Sequence, residues 1–258
     1  MNKIGIIGCG WLGIRLVQHL KEGDEIYTTI RSEDKKEELI SKGFNPIIVS
    51  FSDEVLQDFK DLKQFAELDL IIITVPFSKS ANINLLKNRF ENISLFLGKF
   101  EKQIFLMSSI GIYPQIEQEI AEDNIPEEQL NQSILFVEKL MKDHYPQLNI
   151  LRLAGLMGDD RVFSKYATQS TNQIVNHVHY NDICNVIEEM INLKTHSKTY
   201  NIVAPKHPTK FEIINYQKNN ILKNDDNENK SLGRKILSKK SELELNYIYK
   251  HPNPILFK

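Results

Sequence analysis

The sequence predicts an α/β fold in which a doubly wound, mostly parallel sheet is covered by helices on both faces. Short apolar segments without a polar face alternate along the chain with longer amphipathic segments, which is typical of strands buried between layers of helices. The first apolar segment, residues 3–8, ends in a glycine-rich turn that leads into an amphipathic segment. A strand, a glycine turn and a helix in this order are the start of a Rossmann-like sheet.

The remaining elements follow from hydrophobic periodicity and from the turn residues between the periodic segments. The predicted strands are residues 3–8, 25–30, 46–50, 69–75, 103–107, 148–153 and 199–203. The predicted helices are residues 11–21, 33–42, 80–98, 127–143 and 182–193, with Asn181 or Asp182 as the N-cap of the last one. Residues 223–230 contain no apolar side chain and predict an exposed loop, and the charged run 34–38 predicts a solvated helix face.

Composition excludes several classes of function. The 258 residues carry a formal net charge of −2, so there is no electrostatic argument for binding nucleic acid or an anionic membrane. The two cysteines, Cys9 and Cys184, form no C-x-x-C motif, and we predict no metal site. Gly5 and Gly8 interrupt the N-terminal apolar stretch, and no run reaches the ~18 apolar residues of a membrane span. We therefore expect a cytoplasmic protein whose partner is a small-molecule substrate; a homodimer is left open.

The glycine turn has the G-x-G-x-x-G spacing of a dinucleotide-binding loop, with glycines at positions 8, 10 and 13. Gly8 turns the chain out of the strand, Gly10 lets the backbone approach a pyrophosphate, and Gly13 lets the helix pack closely. The N-terminus of the following helix offers N–H groups and a positive dipole end to the phosphates. Cys9 fits the loop as a small residue, and a thiol pKa lowered by the helix is the alternative.

Four further residues near the strand ends are assigned to the same cofactor site. Trp11 and Leu12 begin the helix after the glycines, and Val75 and Pro76 lie at the end of the predicted strand 69–75. For Trp11, packing against neighbouring loops is the alternative role.

The end of the second strand favours NADP over NAD. An acidic residue at this place binds the ribose 2′-hydroxyl of NAD, whereas an arginine accommodates the 2′-phosphate of NADP. Ile30 stands where the acid is expected, and Arg31 and Ser32 supply a charge and a hydroxyl suited to a phosphate. The alternative is a surface role for Arg31, with Glu33 or Asp34 on the ribose of NAD.

Five further segments complete a resemblance that covers nearly the whole chain. Residues 107–113 stand in place of Ser-Ser-x-x-Val-Tyr-Gly, and residues 122–126 match Glu-Asp-x-x-Pro. Residues 151–158 are similar to Leu-Arg-x-x-x-x-Tyr-Gly, residues 177–182 to Val-His-Val-x-Asp, and residues 200–202 to Tyr-Asn-x. In this order, they resemble an extended, atypical short-chain dehydrogenase/reductase of the NAD(P)-dependent sugar-nucleotide epimerase/dehydratase-like branch.

The resemblance implies a Rossmann-like sheet that carries the cofactor and a small, mostly C-terminal substrate lobe. The cofactor-binding core is expected at residues 1–155, joined by a strand and a helix from about 181–204. The substrate lobe is expected at residues 156–180 and 205–258.

The resemblance carries over only part of the family's catalytic set. Ser109 matches the serine that orients the substrate oxygen, but the tyrosine and lysine of the family's Tyr-x-x-x-Lys are absent. Aligning Glu138 with the family's helix glutamate places Leu130 near the tyrosine position and Ile134 near the lysine position. Tyr113 is a candidate replacement acid, although the family's tyrosine at this place chiefly packs near the cofactor.

Arg161 follows the sixth predicted strand, at an edge where such folds bind ligands, and is the candidate for a substrate phosphate or carboxylate. His177 and His179 lie on one face of a probable strand; a core or cleft position is favoured over metal binding. Two functions remain open. One is an oxidoreductase or epimerase-like enzyme that moves hydride to or from a small polar, perhaps nucleotide-sugar, substrate. The other is a dinucleotide-binding or redox-sensing protein that has lost proton transfer.

Overall fold

The structure, a computed structural model, describes residues 2–59, 65, 67–77, 80–165, 172–219 and 233–257. The predicted loop at residues 223–230 lies outside this part of the chain. The strands are β1 (Lys3–Ile7), β2 (Glu25–Ile30), β3 (Asn45–Ile48), β4 (Leu70–Ile73), β5 (Gln103–Ser109), β6 (Glu119–Ile120), β7 (Asn149–Leu153), β8 (Gly155–Met157), β9 (His177–His179), β10 (Thr199–Ile202) and β11 (Lys235–Ile236). The helices are α1 (Trp11–Leu20), α2 (Asp34–Ser41), α3 (Ile83–Leu97), α4 (Gln132–His144), α5 (Tyr180–Asn192), α6 (Lys210–Asn219) and α7 (Lys239–Glu244).

One sheet contains all seven strands that the sequence predicts. Its order is β10-β7-β5-β4-β1-β2-β3, and the pairs β1–β2, β2–β3, β1–β4 and β4–β5 are parallel. The chain therefore winds outward in one direction from β1 to β3 and in the other from β4 onward, which confirms the doubly wound fold class. The order reverses between β1 and β4, and ligands of such sheets bind at this reversal, outside the carboxyl ends of the strands.

The central strand β4 is apolar on both faces. All four residues of β4 are buried, and its Ile71 and Ile73 belong to a core that includes Phe90 and Ile93 of α3 and Met141 of α4. Full burial of a side chain of this size stabilises the fold by about 1.5 to 3 kcal/mol. Packing in this core fixes the position of α3 relative to β4.

Helix α4 begins later than predicted. A short 3₁₀ turn, Glu127–Gln129, precedes it, and Leu130 is extended. The Asn131 side chain then accepts a hydrogen bond from the backbone N–H of Ile134, so the α-helix starts at Gln132.

The predicted N-cap of the helix near residue 182 is wrong. Helix α5 starts at Tyr180, and the ring of His179 caps it by accepting from the N–H of Asn181. Asp182 is fully buried, and its carboxylate accepts hydrogen bonds from the Tyr247 hydroxyl and from the backbone N–H groups of residues 250 and 251. Its side chain is therefore committed to the C-terminal segment.

The chain divides into two compact units. The first comprises residues 1–112, 131–151 and 194–199, and the second comprises residues 113–130, 152–193 and 200–258. The units divide the chain differently from the expected lobes, since α5 falls in the second unit. That unit also contains the two-stranded sheets β6–β11 and β8–β9 and the helices α6 and α7, which the sequence did not predict. No helix within the described ranges is long and apolar enough to cross a bilayer.

Candidate functional site

The glycine loop joins β1 to α1 in a close-packed turn. Gly8 has a φ of +92°, a left-handed conformation that side chains disfavour, so it turns the chain as expected. Its N–H donates to Thr29 Oγ1 at 2.8 Å, and its carbonyl accepts from the Thr74 hydroxyl. A Cβ on Gly13 would lie 2.5 Å from the Gly8 carbonyl oxygen, so only glycine permits this approach of α1 to the loop.

The start of α1 is left open for a ligand. Gly10 is its N-cap, no side chain caps the helix, and its first turn contains no acidic residue. Apart from its chain neighbours and the backbone of α1, no described atom would lie within 4 Å of a Cβ on Gly10, so no described side chain fills the space in front of this residue. The guanidinium carbon of Arg15 lies over the Trp11 ring, 3.6 Å from the ring centre. The Leu12 side chain is buried in the core.

A cleft of about 840 Å³ lies at the carboxyl ends of β1 to β4, within the first unit. The residues that line it are Gly8, Cys9, Gly10, Thr29, Ile30, Arg31, Ser32, Lys35, Val49, Ser50, Phe51, Ser52, Asp53, Glu54, Val75, Pro76 and Arg89. It therefore brings together Gly8, Gly10, Arg31, Ser32, Val75 and Pro76 among the predicted cofactor residues. The side chains of Trp11 and Leu12 do not line it, and burial raises the pKa of the Cys9 thiol rather than lowering it.

One side of the cleft carries positive charge. Arg31 and Ser32 are exposed there, and no other described residue forms a hydrogen bond or ion pair with the Arg31 side chain. Lys35 lines the same side and donates from Nζ to the Cys9 carbonyl at 2.7 Å, a contact that the prediction of a solvated helix face did not include. The charged run gave no sign of this because the approach of α2 to the glycine loop is a tertiary contact. Glu33 and Asp34 do not line the cleft.

Ser109 ends β5 and is half-buried, with its Oγ accepting a hydrogen bond from the Gly111 N–H at 3.0 Å. Ile134, which the sequence alignment places near the lysine of the Tyr-x-x-x-Lys pattern, is 1% exposed. Its Cδ1 would lie 3.3 Å from a Cβ built on Gly111. Helix α4 therefore presents an apolar side chain beside the Ser109 turn. The preceding serine, Ser108, donates to the buried carboxylate of Glu138 at 2.6 Å.

In the second unit, Tyr113 is part of a buried polar network. Its hydroxyl donates to Asn201 Oδ1 at 2.7 Å and accepts from Arg152 Nη1 at 2.8 Å. Arg152 also donates to the carbonyl of Glu122, and the Glu122 carboxylate accepts from the Asn201 N–H. Burial raises the pKa of Tyr113 to about 12 although Arg152 opposes the shift. A hydroxyl bound on both sides and 3% exposed is poorly suited to proton transfer.

Arg161 lies in a tight turn in the second unit. Its N–H and carbonyl exchange hydrogen bonds with Gly158, which has a φ of +119°, and its side chain is half-buried. This turn packs closely against His179. A Cβ built on Gly158 would lie only 2.6 Å from His179 Nε2.

The two histidines of β9 pack against neighbouring side chains. His179 stacks on His251 with ring centres 3.9 Å apart. Burial, helped by Lys210, lowers the pKa of His177 to about 4, so its imidazole is neutral at physiological pH. Within the described ranges, no three histidine, cysteine or acidic side chains are grouped as metal ligands would be.

Comparisons with known proteins agree with this architecture. No protein-family model matches the chain. The Escherichia coli (strain K12) protein YeeZ is 27% identical over 222 residues, which span 81% of this chain and 80% of that protein. The yeast methylglyoxal/isovaleraldehyde reductase Gre2, solved with NADPH, superposes with a TM-score of 0.72 and 14% identity over 96% of this chain and 94% of that one.

Two bacterial structures give similar superpositions. The dTDP-glucose 4,6-dehydratase of Bacillus anthracis, solved with NAD, has a TM-score of 0.70 and 13% identity over 99% of this chain and 94% of that one. The UDP-N-acetylglucosamine 4-epimerase of Bacillus cereus has a TM-score of 0.69 and 17% identity over 99% and 96%. The chain therefore has a Rossmann-like fold that it shares with these reductase, dehydratase and epimerase structures.

Proposed function

We propose that the protein binds a nicotinamide dinucleotide in the cleft of the first unit, with NADP(H) preferred over NAD(H), and acts as an oxidoreductase or epimerase-like enzyme. The observation that carries the proposal is the cleft itself. It lies where the strand order reverses, and the glycine loop and three polar or cationic residues at the start of α2 line it. This is the place and the chemistry that a dinucleotide requires.

The residues present fit such a cofactor. The free space in front of Gly10 and the uncapped start of α1 suit a pyrophosphate, which accepts hydrogen bonds from backbone N–H groups. Gly13 lets α1 approach the Gly8 carbonyl closely. Gly8 and Gly10 line the cleft, so the backbone of the loop is accessible from it.

The preference for NADP rests on Arg31, Ser32 and Lys35. These side chains offer two positive charges and a hydroxyl to the ribose 2′-phosphate, and a charge-assisted hydrogen bond contributes about 1.5 to 3 kcal/mol. The NAD alternative needs an acceptor for the 2′-hydroxyl, but Ile30 occupies the expected position and Glu33 and Asp34 lie outside the cleft lining. The charges therefore favour the phosphorylated cofactor.

A bound nicotinamide would supply or accept the hydride, and the chain must orient the substrate and handle its proton. Ser109 is the residue we assign to the substrate oxygen. Its Oγ accepts from Gly111, which leaves its hydroxyl hydrogen for donation. Arg161 is the candidate for binding an anionic group of a small polar, perhaps nucleotide-sugar, substrate.

A second function, dinucleotide binding or redox sensing without turnover, is favoured by one observation. Leu130 and the buried Ile134 stand where the family transfers a proton, and the Tyr113 hydroxyl is already bound by Arg152 and Asn201. A positioned acid or base contributes typically 10² to 10⁴ in rate, so its loss without replacement leaves a poor catalyst.

Isotope transfer distinguishes these two functions. Stereospecific exchange of deuterium between labelled NADPH and a panel of sugar nucleotides and small carbonyl compounds is measured for wild type, Ser109→Ala and the control Ser41→Ala, an exposed serine of α2. We expect exchange in wild type and the control, reduced about 10²-fold or more in Ser109→Ala. Full exchange by Ser109→Ala removes the serine from the mechanism. No exchange in wild type, despite NADPH binding, favours the sensing function.

A further inference from the structure

Part of the cleft wall has no regular secondary structure of its own. Residues 52–57, the wall segment, follow β3 and contribute Ser52, Asp53 and Glu54 to the lining. Inside the segment, Ser52 Oγ accepts from the N–H groups of Glu54 and Val55 at 3.1 and 3.2 Å. These local bonds shape a turn but do not anchor it to the sheet.

Helix α3 supplies that anchor through two asparagines. Asn92 is fully buried and donates to the carbonyls of Ser52 and Val55 at 3.0 and 2.8 Å, while its Oδ1 accepts from the Gln57 N–H at 2.7 Å. One turn earlier, Asn88 donates to the carbonyls of residues 53 and 54, both at 3.0 Å. Four successive carbonyls of the wall segment are thus held by one helix.

Arg89, between these asparagines on α3, binds both walls of the cleft. Its Nε and Nη2 donate to the two carboxylate oxygens of Asp53 at 2.7 and 2.5 Å, and its Nη1 donates to the Pro76 carbonyl at 2.8 Å. The guanidinium therefore connects the wall segment to the segment that follows β4. Asp53 neutralises the charge of the guanidinium. The side chains of Arg89 and Asp53 are 26% and 31% exposed.

We propose that Arg89 is a positioning residue for cofactor binding, which fixes the two cleft walls against each other before the dinucleotide arrives. The inference rests on the proposed function. Ordering a backbone segment costs conformational entropy, and a wall ordered during folding does not add this cost to binding. Because Asp53 neutralises Arg89, its contribution is geometric and applies to NAD and NADP alike. Arg31, in contrast, distinguishes the two cofactors by charge.

Calorimetric titration with NADP⁺ and NAD⁺ tests this on wild type, Arg89→Met, Arg89→Lys, Asp53→Asn and the double variant Arg89→Met/Asp53→Asn. Lys87→Ala, which removes an exposed cation two residues away on α3, is the matched control. We expect Arg89→Met to raise both dissociation constants by the same factor, roughly 5- to 30-fold, with an intermediate loss in Arg89→Lys. The double variant should lose no more than Arg89→Met alone, because the two residues act through each other.

Amide hydrogen exchange of the ligand-free proteins tests separately whether Arg89 orders the wall segment. Amides of the wall segment should exchange faster in Arg89→Met than in wild type or Lys87→Ala, while the β4 and β5 amides stay protected.

Three outcomes overturn the inference. Wild-type affinity for both cofactors in Arg89→Met, with wild type itself binding, rejects the inference alone. A loss confined to NADP⁺ identifies Arg89 as a phosphate ligand instead. No binding of either dinucleotide to wild type rejects the proposed function and this inference together.

Discussion

The two units use their polar side chains differently. In the cleft of the first unit, Arg31 and Ser32 are exposed, and Lys35 reaches only a backbone carbonyl. In the second unit, Tyr113 and Arg152 are buried and bonded to each other and to polar neighbours. The sequence singled out Arg31, Ser32 and Tyr113, but of these only Arg31 and Ser32 are exposed to open space.

The difference separates binding groups from structural ones. Releasing a buried hydroxyl or guanidinium from its partner costs about 1 to 3 kcal/mol or more, so Tyr113 and Arg152 are held where they are. Exposed groups at a cleft have no buried hydrogen-bond partner to release when they bind a ligand. We therefore propose that the first unit's cleft recognises the dinucleotide and that the Tyr113 network stabilises the second unit.

The largest effect is expected at Gly10. Gly10→Val should fold normally, because no described atom lies within 4 Å of the new Cβ, yet it fills the space that a pyrophosphate needs. We expect affinity for NADP⁺ and NAD⁺ to fall by about 100-fold or more in calorimetry, with an unchanged midpoint of thermal unfolding.

Gly13→Ala provides the contrasting variant. Its Cβ would lie 2.5 Å from a backbone oxygen, so it should lower the free energy of unfolding by about 1 to 3 kcal/mol. Wild-type affinity in Gly10→Val would remove the pyrophosphate from this place.

Arg31→Ala should weaken NADP⁺ binding by roughly 10- to 150-fold and leave NAD⁺ binding unchanged, because only the 2′-phosphate interacts with its charge. Lys36→Ala is the control, since this neighbouring lysine forms an exposed ion pair with Glu33 at 3.5 Å and does not line the cleft. An equal loss for both cofactors, or for neither, shows that Arg31 does not bind the phosphate.

The second unit should respond in stability and not in cofactor affinity. Tyr113→Phe removes the donor to Asn201 and the acceptor for Arg152, and we expect unfolding free energy to fall by about 1 to 3 kcal/mol in urea titrations. Tyr180→Phe, whose hydroxyl bonds Asp159 near the surface, should cost less. A large change in NADP⁺ affinity with intact stability would make Tyr113 part of the binding site.

The smallest effect concerns the pH dependence of stability. The folded pKa of His177, about 4, lies below its ordinary 6.5, so protons bind the unfolded chain more readily. Its contribution is present above pH 6.5 and is lost as pH falls through 4, by at most about 3 kcal/mol. His177→Gln should flatten the fall in unfolding free energy over this interval, whereas His196→Gln, at an exposed position, should not. Identical pH profiles for wild type and His177→Gln contradict this.

The fold was predictable because its signals are local. The uninterrupted apolar run of β4 and the glycines after β1 are visible in a short window of sequence, and they fix the sheet and its loop. Helices α6 and α7 were missed because their polar faces are broad and their apolar residues irregularly spaced. The cap of α5 was misassigned because the partners of Asp182 come from residues far along the chain.

Most of the cleft residues that the sequence predicted belong to one motif, and Val75 and Pro76 at the end of β4 complete them. Gly8, Gly10 and Arg31 belong to a single strand-turn-helix-strand unit, and the cleft contains all three. Lys35 and the Arg89–Asp53 pair were not found because their roles depend on contacts between distant segments. Nothing in the sequence near Asp53 indicates a bidentate partner 36 residues later.

Direct titration tests the proposal that the first unit's cleft binds NADP(H) in preference to NAD(H). Trp11, the only tryptophan, follows the glycine loop directly, so energy transfer from its indole to bound reduced nicotinamide reports binding. Wild-type protein is titrated with NADPH and with NADH, and 2′,5′-ADP is then added as a competitor. We expect NADPH to bind at least about 10-fold more tightly than NADH and to be displaced by the competitor. Absence of binding by both at millimolar concentration, checked by calorimetry, or a preference for NADH, would contradict it.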